Sequence, residues 1–236
     1  YVEQTVAADK FKAFFTDNSM GTANDYDAKI TYTVHGTVEY DEKDHSYLLS
    51  LGRAASRFSD DLHLSHFEIR GEDDAQLSLK STITLPYQWW GKSDTHWTYL
   101  TLKDIKVVNG GMAGGINYLS IGQAYNAGIG ITLENVQLSG LICYTYVNNI
   151  YSYTAENCTF DGQGIDNAGM HFQGSDRSDA PANISIKNCS FNGYAYAMNV
   201  DQDCAIAKIE GCTFKTTESK RPCIQIAGCS ELTVSD

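Results

Sequence analysis

Apolar and polar residues alternate along most of this chain within one recurring phrase. It is plainest in Ile184-Ser-Ile-Lys-Asn-Cys-Ser-Phe191 and Ala207-Lys-Ile-Glu-Gly-Cys-Thr-Phe214. Upstream copies are Leu100-Thr-Leu-Lys-Asp-Ile-Lys-Val107, Ile131-Thr-Leu-Glu-Asn-Val-Gln-Leu138 and Tyr153-Thr-Ala-Glu-Asn-Cys-Thr-Phe160, and Ile224-Gln-Ile-Ala-Gly-Cys-Ser-Glu231 reads as a last one. In each copy the alternation runs for a few residues, skips at an Asn, Asp or Gly, and resumes. Alternation with period two predicts strands. Asn, Asp and Gly tolerate a left-handed or bridging backbone, so the skip predicts a corner. Ile184 and Ile186 point inward, Ser185 and Lys187 outward, Asn188 turns the chain, and Cys189 and Phe191 point inward again.

Six copies make this a repeat protein. Taking Asp104, Asn135, Asn157, Asn188, Gly211 and Gly228 as equivalent, the steps are 31, 22, 31, 23 and 17 residues. The shorter steps suit one coil of a β-solenoid. The two long steps imply inserted loops, near Met112–Gly128 and Asp161–Pro181. Stacking coils at the strand spacing of ~4.8 Å pairs each strand with the coil above and below. No single coil buries its inner face alone, so the stack is the folding unit.

The N-terminal part is less regular. Val6, Ala7, Phe11, Phe14 and Phe15 predict a helix over Thr5–Thr16, ended by Asp17-Asn18 and Gly21. Ile30–Tyr40 alternates strictly, with Ile30, Tyr32 and Val34 on one face. Tyr47–Leu51 follows a polar turn, and Arg53–Asp61 is a charged connection. Leu62–Gly71 is a degenerate first copy of the phrase, and Ala75–Leu85 is further strand. Pro86–Trp97 reads as a loop or bend. It holds all three tryptophans, Trp89, Trp90 and Trp97. They serve either as packing against the coils or as plates for a sugar. The expected organisation is a single domain over 1–236, with a cap helix and linker in 1–29, irregular coils in 30–98 and regular coils in 99–236.

Composition narrows the choices. A hydrophobic fraction of 42% in 236 residues supplies a core, and 19% charged residues with three prolines argue against disorder. The formal net charge of −12 argues against a nucleic-acid partner, which needs a basic surface. It also disfavours a strongly anionic polymer unless a cation bridges the two. No apolar run reaches the length of a membrane span, so no membrane insertion is expected within this segment. No signal peptide is visible at Tyr1, and the chain reads as a mature or excised segment of something longer.

The seven cysteines invite a chemical reading, but none forms a C-x-x-C pair and the histidines are scattered, so a zinc site is not expected. Cys158, Cys189, Cys212 and Cys229 each follow the corner residue, where Ile105 and Val136 stand in earlier copies. They are therefore expected to form a ladder of small buried side chains, as free thiols do. Disulfides between adjacent coils are the alternative that an extracellular setting permits. The sequons Asn157-Cys-Thr and Asn188-Cys-Ser fall on coil corners and read as coincidental.

The repeated Ile-x-Ile-x-Asn-Cys-x-Phe phrase, its corner Asn, the helix at Thr5–Thr16, Ile30–Val38 and Phe67-Glu-Ile-Arg-Gly71 together resemble the right-handed parallel β-helix of the pectate-lyase-like superfamily. The resemblance covers nearly the whole chain. It implies an all-β right-handed parallel β-helix with a short N-terminal capping helix. That fold carries lyases, hydrolases, tailspikes and adhesins, so it does not by itself give a function. Enzymes of this superfamily bind sugar chains along an outward sheet face.

The corresponding stripe here is Tyr144, Tyr146, His171, Gln173, Asn199, Asp201 and Gln225. Aromatic plates flanked by amides and a carboxylate suit a neutral sugar chain, although an ordinary solvated sheet face is polar too. Beside it, Asp166, Asp176 and Asp179 are candidate calcium ligands through their oxygens. Arg177, His171 and Asp201 are the candidate catalytic groups, as base or as charge neutraliser. No cofactor is expected beyond a possible calcium ion. An inverting hydrolase would need two carboxylates about 6.5–9.5 Å apart, and the polygalacturonase pattern of Asn-Thr-Asp, Asp-Asp and Gly-His-Gly is absent. The expected function is a non-catalytic, secreted or cell-surface bacterial module. It recognises carbohydrate or another surface ligand through that face. The alternative is a polysaccharide lyase or glycoside hydrolase.

Overall fold

The computed structural model describes residues 28–40, 64–81, 83–88, 98–112, 118–124, 129–146, 150–173, 183–218 and 220–236. The helix expected at Thr5–Thr16, the tryptophan cluster, Tyr47–Leu51 and Arg53–Asp61 lie outside them. The described residues contain strands and no helix: β1 (Ala28–Tyr40), β2 (Leu64–Leu79), β3 (Ile83–Gln88), β4 (Thr98–Lys103), β5 (Lys106–Asn109), β6 (Tyr118–Ala124), β7 (Ile129–Glu134), β8 (Gln137–Ser139), β9 (Ile142–Tyr146), β10 (Ile150–Glu156), β11 (Thr159–Gln173), β12 (Asn183–Lys187), β13 (Ser190–Glu210), β14 (Thr213–Lys215) and β15 (Ile224–Ser235). They form one closed, all-parallel sheet, an arrangement consistent with a β-helix.

Three ladders carry the pairing. In the first, Tyr32, Ile69, Leu102, Leu133, Ala155, Ile186, Ile209 and Val234 lie side by side, each from the next repeat. In the second, Val38, Leu77, Val107, Leu138, Phe160, Phe191 and Phe214 do the same. The third runs through Ile83, Leu119, Cys143, Met170, Met198 and Ile224. Equivalent positions therefore stack like on like. The Phe160 and Phe191 rings lie 4.6 Å apart at 6°, and Phe191 and Phe214 5.5 Å apart at 21°. From Ile69 to Ile209 the first ladder, from Val38 to Phe191 the second and from Leu119 to Met198 the third belong to one buried cluster, with Phe214 and Ile224 packed against it and Val234 exposed.

The corner is where the sequence pattern placed it. Asp104, Asn135, Asn157 and Asn188 have φ of 54°, 54°, 55° and 51°, and Gly211 has 59°. Side chains with a Cβ avoid this region, Asn and Asp least of all. Each corner N–H donates to the carbonyl just before the next corner: Asp104 to Glu134, Asn135 to Glu156, Asn157 to Lys187, Asn188 to Glu210 and Gly211 to Ser235, all at 2.9–3.0 Å. Asn135 Nδ2 also donates to Asp104 Oδ1 at 2.7 Å.

Three expectations are corrected. The sixth phrase is not Ile224–Glu231. Ile224 and Ile226 pair with Met198 and Val200 in the third ladder, and the residues level with Ala207 and Ile209 are Leu232 and Val234. Asp236 then stands at the corner position, and Cys229, level with Cys204, is not in the thiol line. The apparent match arose because both segments carry apolar alternation followed by Gly-Cys. Second, the stretches assigned to inserted loops contain regular strand: β6 lies within 112–128, and β11 continues from Asp161 to Gln173. Third, Pro86–Gln88 are strand rather than bend. β3 is the last strand on its side of the sheet, where a residue lacking an N–H is tolerated.

No disulfide joins the seven cysteines. Cys158 and Cys189 are buried and Cys212 is half-buried, each donating weakly to the carbonyl two residues before it, Glu156, Lys187 and Glu210, at 3.2–3.3 Å. Elsewhere in the core, Cys143 Sγ lies 3.2 Å from Tyr153 Oη, and Tyr194 Oη donates to the Leu141 carbonyl at 2.7 Å.

The left-handed corner generates one prediction. Asn157→Val should destabilise the protein by about 1–2 kcal/mol in urea melts, and Asn157→Gly by much less, because only the former adds a β-branched Cβ there. Equal effects would mean that the amide side chain, not the backbone, is what the position needs. A second concerns alkali. Burial pushes the Cys143 thiol up to about 12 from 9.0 and raises the Tyr153 phenol well above its usual value. Between those limits the unfolded chain binds fewer protons than the native one, so stability falls as pH rises. Chemical denaturation midpoints should drop progressively above pH 9, and Cys143→Ala should flatten the part of that slope due to the thiol.

Candidate functional site

The outward positions of the third ladder fall into register across repeats. Tyr144, His171, Asn199 and Gln225 are direct Cα partners on β9, β11, β13 and β15. In a parallel ladder direct partners share a face, so the four residues chosen from sequence do line one stripe. Tyr118, two residues before Ser120 on β6, extends it: the Tyr118 and Tyr144 rings lie 5.0 Å apart at 57°. The Tyr144 and His171 rings meet edge to face, 5.4 Å apart at 74°.

The centre of the stripe is a carboxylate with two donors. His171 Nε2 lies 2.6 Å from Asp201 Oδ2, and Asn199 Nδ2 donates to Asp201 Oδ1 at 2.6 Å. Asn199 Nδ2 is 3.4 Å from His171 Nε2. The His171 side chain is 17% exposed and that of Asp201 41%, whereas Asn199 is 7% exposed. The other amide atom, Asn199 Oδ1, is buried and finds no donor among the described residues.

A second cluster adjoins the first. Tyr196, two residues before Met198 on β13, donates through its hydroxyl to Asn167 Oδ1 at 3.1 Å. The Arg221 guanidinium lies 5.6 Å from the centre of the Tyr196 ring and 3.4 Å from Asp166 Oδ1. Partial burial raises the Tyr196 phenol. Arg221 pulls against that shift, and the carboxylates of Asp201 and Asp166 add to it.

The structure thus brings together Tyr144, His171, Asn199, Asp201 and Gln225. For Tyr146 and Gln173 it describes the backbone alone, in which they are paired. Arg177, Asp176 and Asp179 lie outside the described residues. Asp166 is engaged by Arg221, and among the described residues no three His, Cys, Asp or Glu converge to hold a metal. Tyr118, Asn167, Tyr196 and Arg221 were not among the residues selected from sequence. Tyr196 was not within reach, since period-two alternation puts it on the side of the buried Tyr194 and Met198 and opposite Asn199. Nor was Arg221, because its place depends on how the chain between β14 and β15 folds back. No protein-family model, curated protein or solved structure matches this chain.

The second cluster gives a prediction whose sign is fixed. Arg221→Ala removes the nearby cation that favours phenolate and so opposes the shift, and the Tyr196 phenol should titrate higher still. NMR of 13Cζ-labelled tyrosine would follow it, and a lower value in the variant would contradict the observed stacking.

Proposed function

We propose that this chain is a right-handed parallel β-helix module of the pectate-lyase-like superfamily, part of a secreted or cell-surface bacterial protein. It recognises a carbohydrate through the outer face of its third ladder. The observation that carries this reading is the single-file register of Tyr144, His171, Asn199 and Gln225, with Asp201 at its centre. Aromatic faces and edges pack on the apolar faces of sugar rings, and amides, imidazole and carboxylate match their hydroxyls. Successive rungs repeat at ~4.8 Å, so the stripe forms a linear track suited to a chain. The stack of repeats, each strand paired one repeat away, supports the β-helix assignment. The acidic charge supports an uncharged ligand over a polyanion.

A second reading has one observation in its favour. A carboxylate 2.6 Å from a histidine is an arrangement that serves acid–base chemistry, so a polysaccharide lyase or glycoside hydrolase is the alternative.

Both readings meet in one experiment. An array of soluble and immobilised glycans should yield a binder, and Tyr144→Ala should weaken it roughly tenfold, about 1.4 kcal/mol. Binding by no glycan, or by one that Tyr144→Ala leaves untouched, would sink the first reading. New reducing ends or 4,5-unsaturated products, lost in His171→Ala, would replace it with the second.

A further inference from the structure

Asp201 accepts from two neighbours, and this fixes where the proton sits on His171. A carboxylate is acceptor-only when ionised. The 2.6 Å contact to Asp201 Oδ2 therefore requires a proton on His171 Nε2. Asn199 Nδ2 cannot then donate to that nitrogen, although it lies 3.4 Å away. Its hydrogen goes instead to Asp201 Oδ1 at 2.6 Å. Turning the amide over would set Asn199 Oδ1 against a carboxylate oxygen at that same distance, acceptor against acceptor. Asn199 is 7% exposed and lies between the His171 and Gln225 rungs, so the amide is held as it stands. A neutral imidazole with its proton on Nε2 carries a bare lone pair on Nδ1.

We propose that His171 Nδ1 is the hydroxyl-reading atom of this face: held in the Nε2–H tautomer by Asp201 and Asn199, it accepts a hydrogen bond from a hydroxyl of a neutral polyhydroxylated ligand. The inference rests on the glycan-binding reading and names the chemistry that does the recognition. The groups facing His171 suit an uncharged donor. Asp201 and Asn199 lie on β13, the Tyr144 ring on β9 and Gln225 one rung beyond Asn199. The charge nearest the imidazole is negative, which disfavours a carboxylated or sulfated residue at this point, and the net charge of the chain acts the same way. Each donor–acceptor match to a buried or half-buried group also rejects sugars lacking that hydroxyl, since the acceptor would be left unpaired.

The tautomer is directly observable. Long-range 1H–15N spectra of the neutral His171 ring in the intact chain should show the proton on Nε2 and a bare Nδ1. Adding cellohexaose, xylohexaose or mannohexaose should move the Nδ1 resonance with whichever of the three binds. Asp201→Asn, at a half-exposed position, should release the tautomer into a mixture and weaken binding about tenfold while the urea midpoint reports whether the fold is kept. A proton found on Nδ1 in the wild type overturns the inference and leaves glycan binding standing. So does a bound oligosaccharide that leaves the Nδ1 resonance unmoved. Failure of all three oligosaccharides to bind overturns it for neutral linear glycans, and the array above then decides whether any glycan is recognised.

Discussion

Everything in this molecule hangs from the left-handed corner. One residue per repeat takes φ near 55°, and its N–H reaches across to the carbonyl preceding the next corner. That bond joins different repeats, not neighbouring residues. A left-handed residue with a Cβ costs roughly 1–2 kcal/mol, less for Asn and Asp. What makes it tolerable is the repeat above, which satisfies the turned N–H, and the two strands that leave the corner toward the first and second ladders. The repeats are mutually dependent for the same reason. A corner without its neighbour has an orphaned donor, and a strand without its neighbour has an unpaired edge.

The core follows from that dependence. Because repeats stack in register, each inward position meets its own equivalent, and a residue is chosen for how it packs on itself. Phe160, Phe191 and Phe214 stack face to face. At the position after the corner, Ile105 and Val136 give way to Cys158, Cys189 and Cys212. A thiol is small, apolar in bulk and a weak donor. It fits the slot and still bonds the carbonyl two residues back. The line of cysteines is thus a packing solution of the same kind as the line of phenylalanines.

That self-equivalence is also why so much was legible in advance. The phrase, the corner and the inward set of the regular repeats could be read from Leu100–Phe214 because period-two alternation and a left-handed residue leave a local trace. The stripe was legible for the same reason: alternation decides that His171 and Asn199 point outward once Met170 and Met198 point in. What failed was register without a phrase. Ile224–Glu231 has the local look of a copy, yet only long-range pairing shows that Ile224 belongs beside Met198 and Leu232 beside Ala207. The third ladder has no corner residue of its own in the phrase, so β6 and the end of β11 were read as insertions. Arg221 was invisible because its partners, Tyr196 and Asp166, come from two other repeats.

The three outer faces are not chemically alike, and the difference bears on function. Outward positions on the first ladder hold Lys103 against Glu134 and Lys187 against Glu156, and on the second Ser190 against Thr159. Pairs of that sort keep a sheet face wet and add at most about 1 kcal/mol each. The third ladder instead places rings, an imidazole, an amide and a carboxylate in one file. On this ladder Asn199 departs from what stability alone favours. Its amide is buried with Oδ1 unpaired, a cost of about 1–3 kcal/mol that an apolar residue on the same strand would avoid. In return it contributes one well-aimed N–H to Asp201. A fold that stacks like on like had a simpler residue available at that rung. Departure from local consistency is characteristic of functional positions, and here the departure sits beside the one histidine whose proton it helps to place.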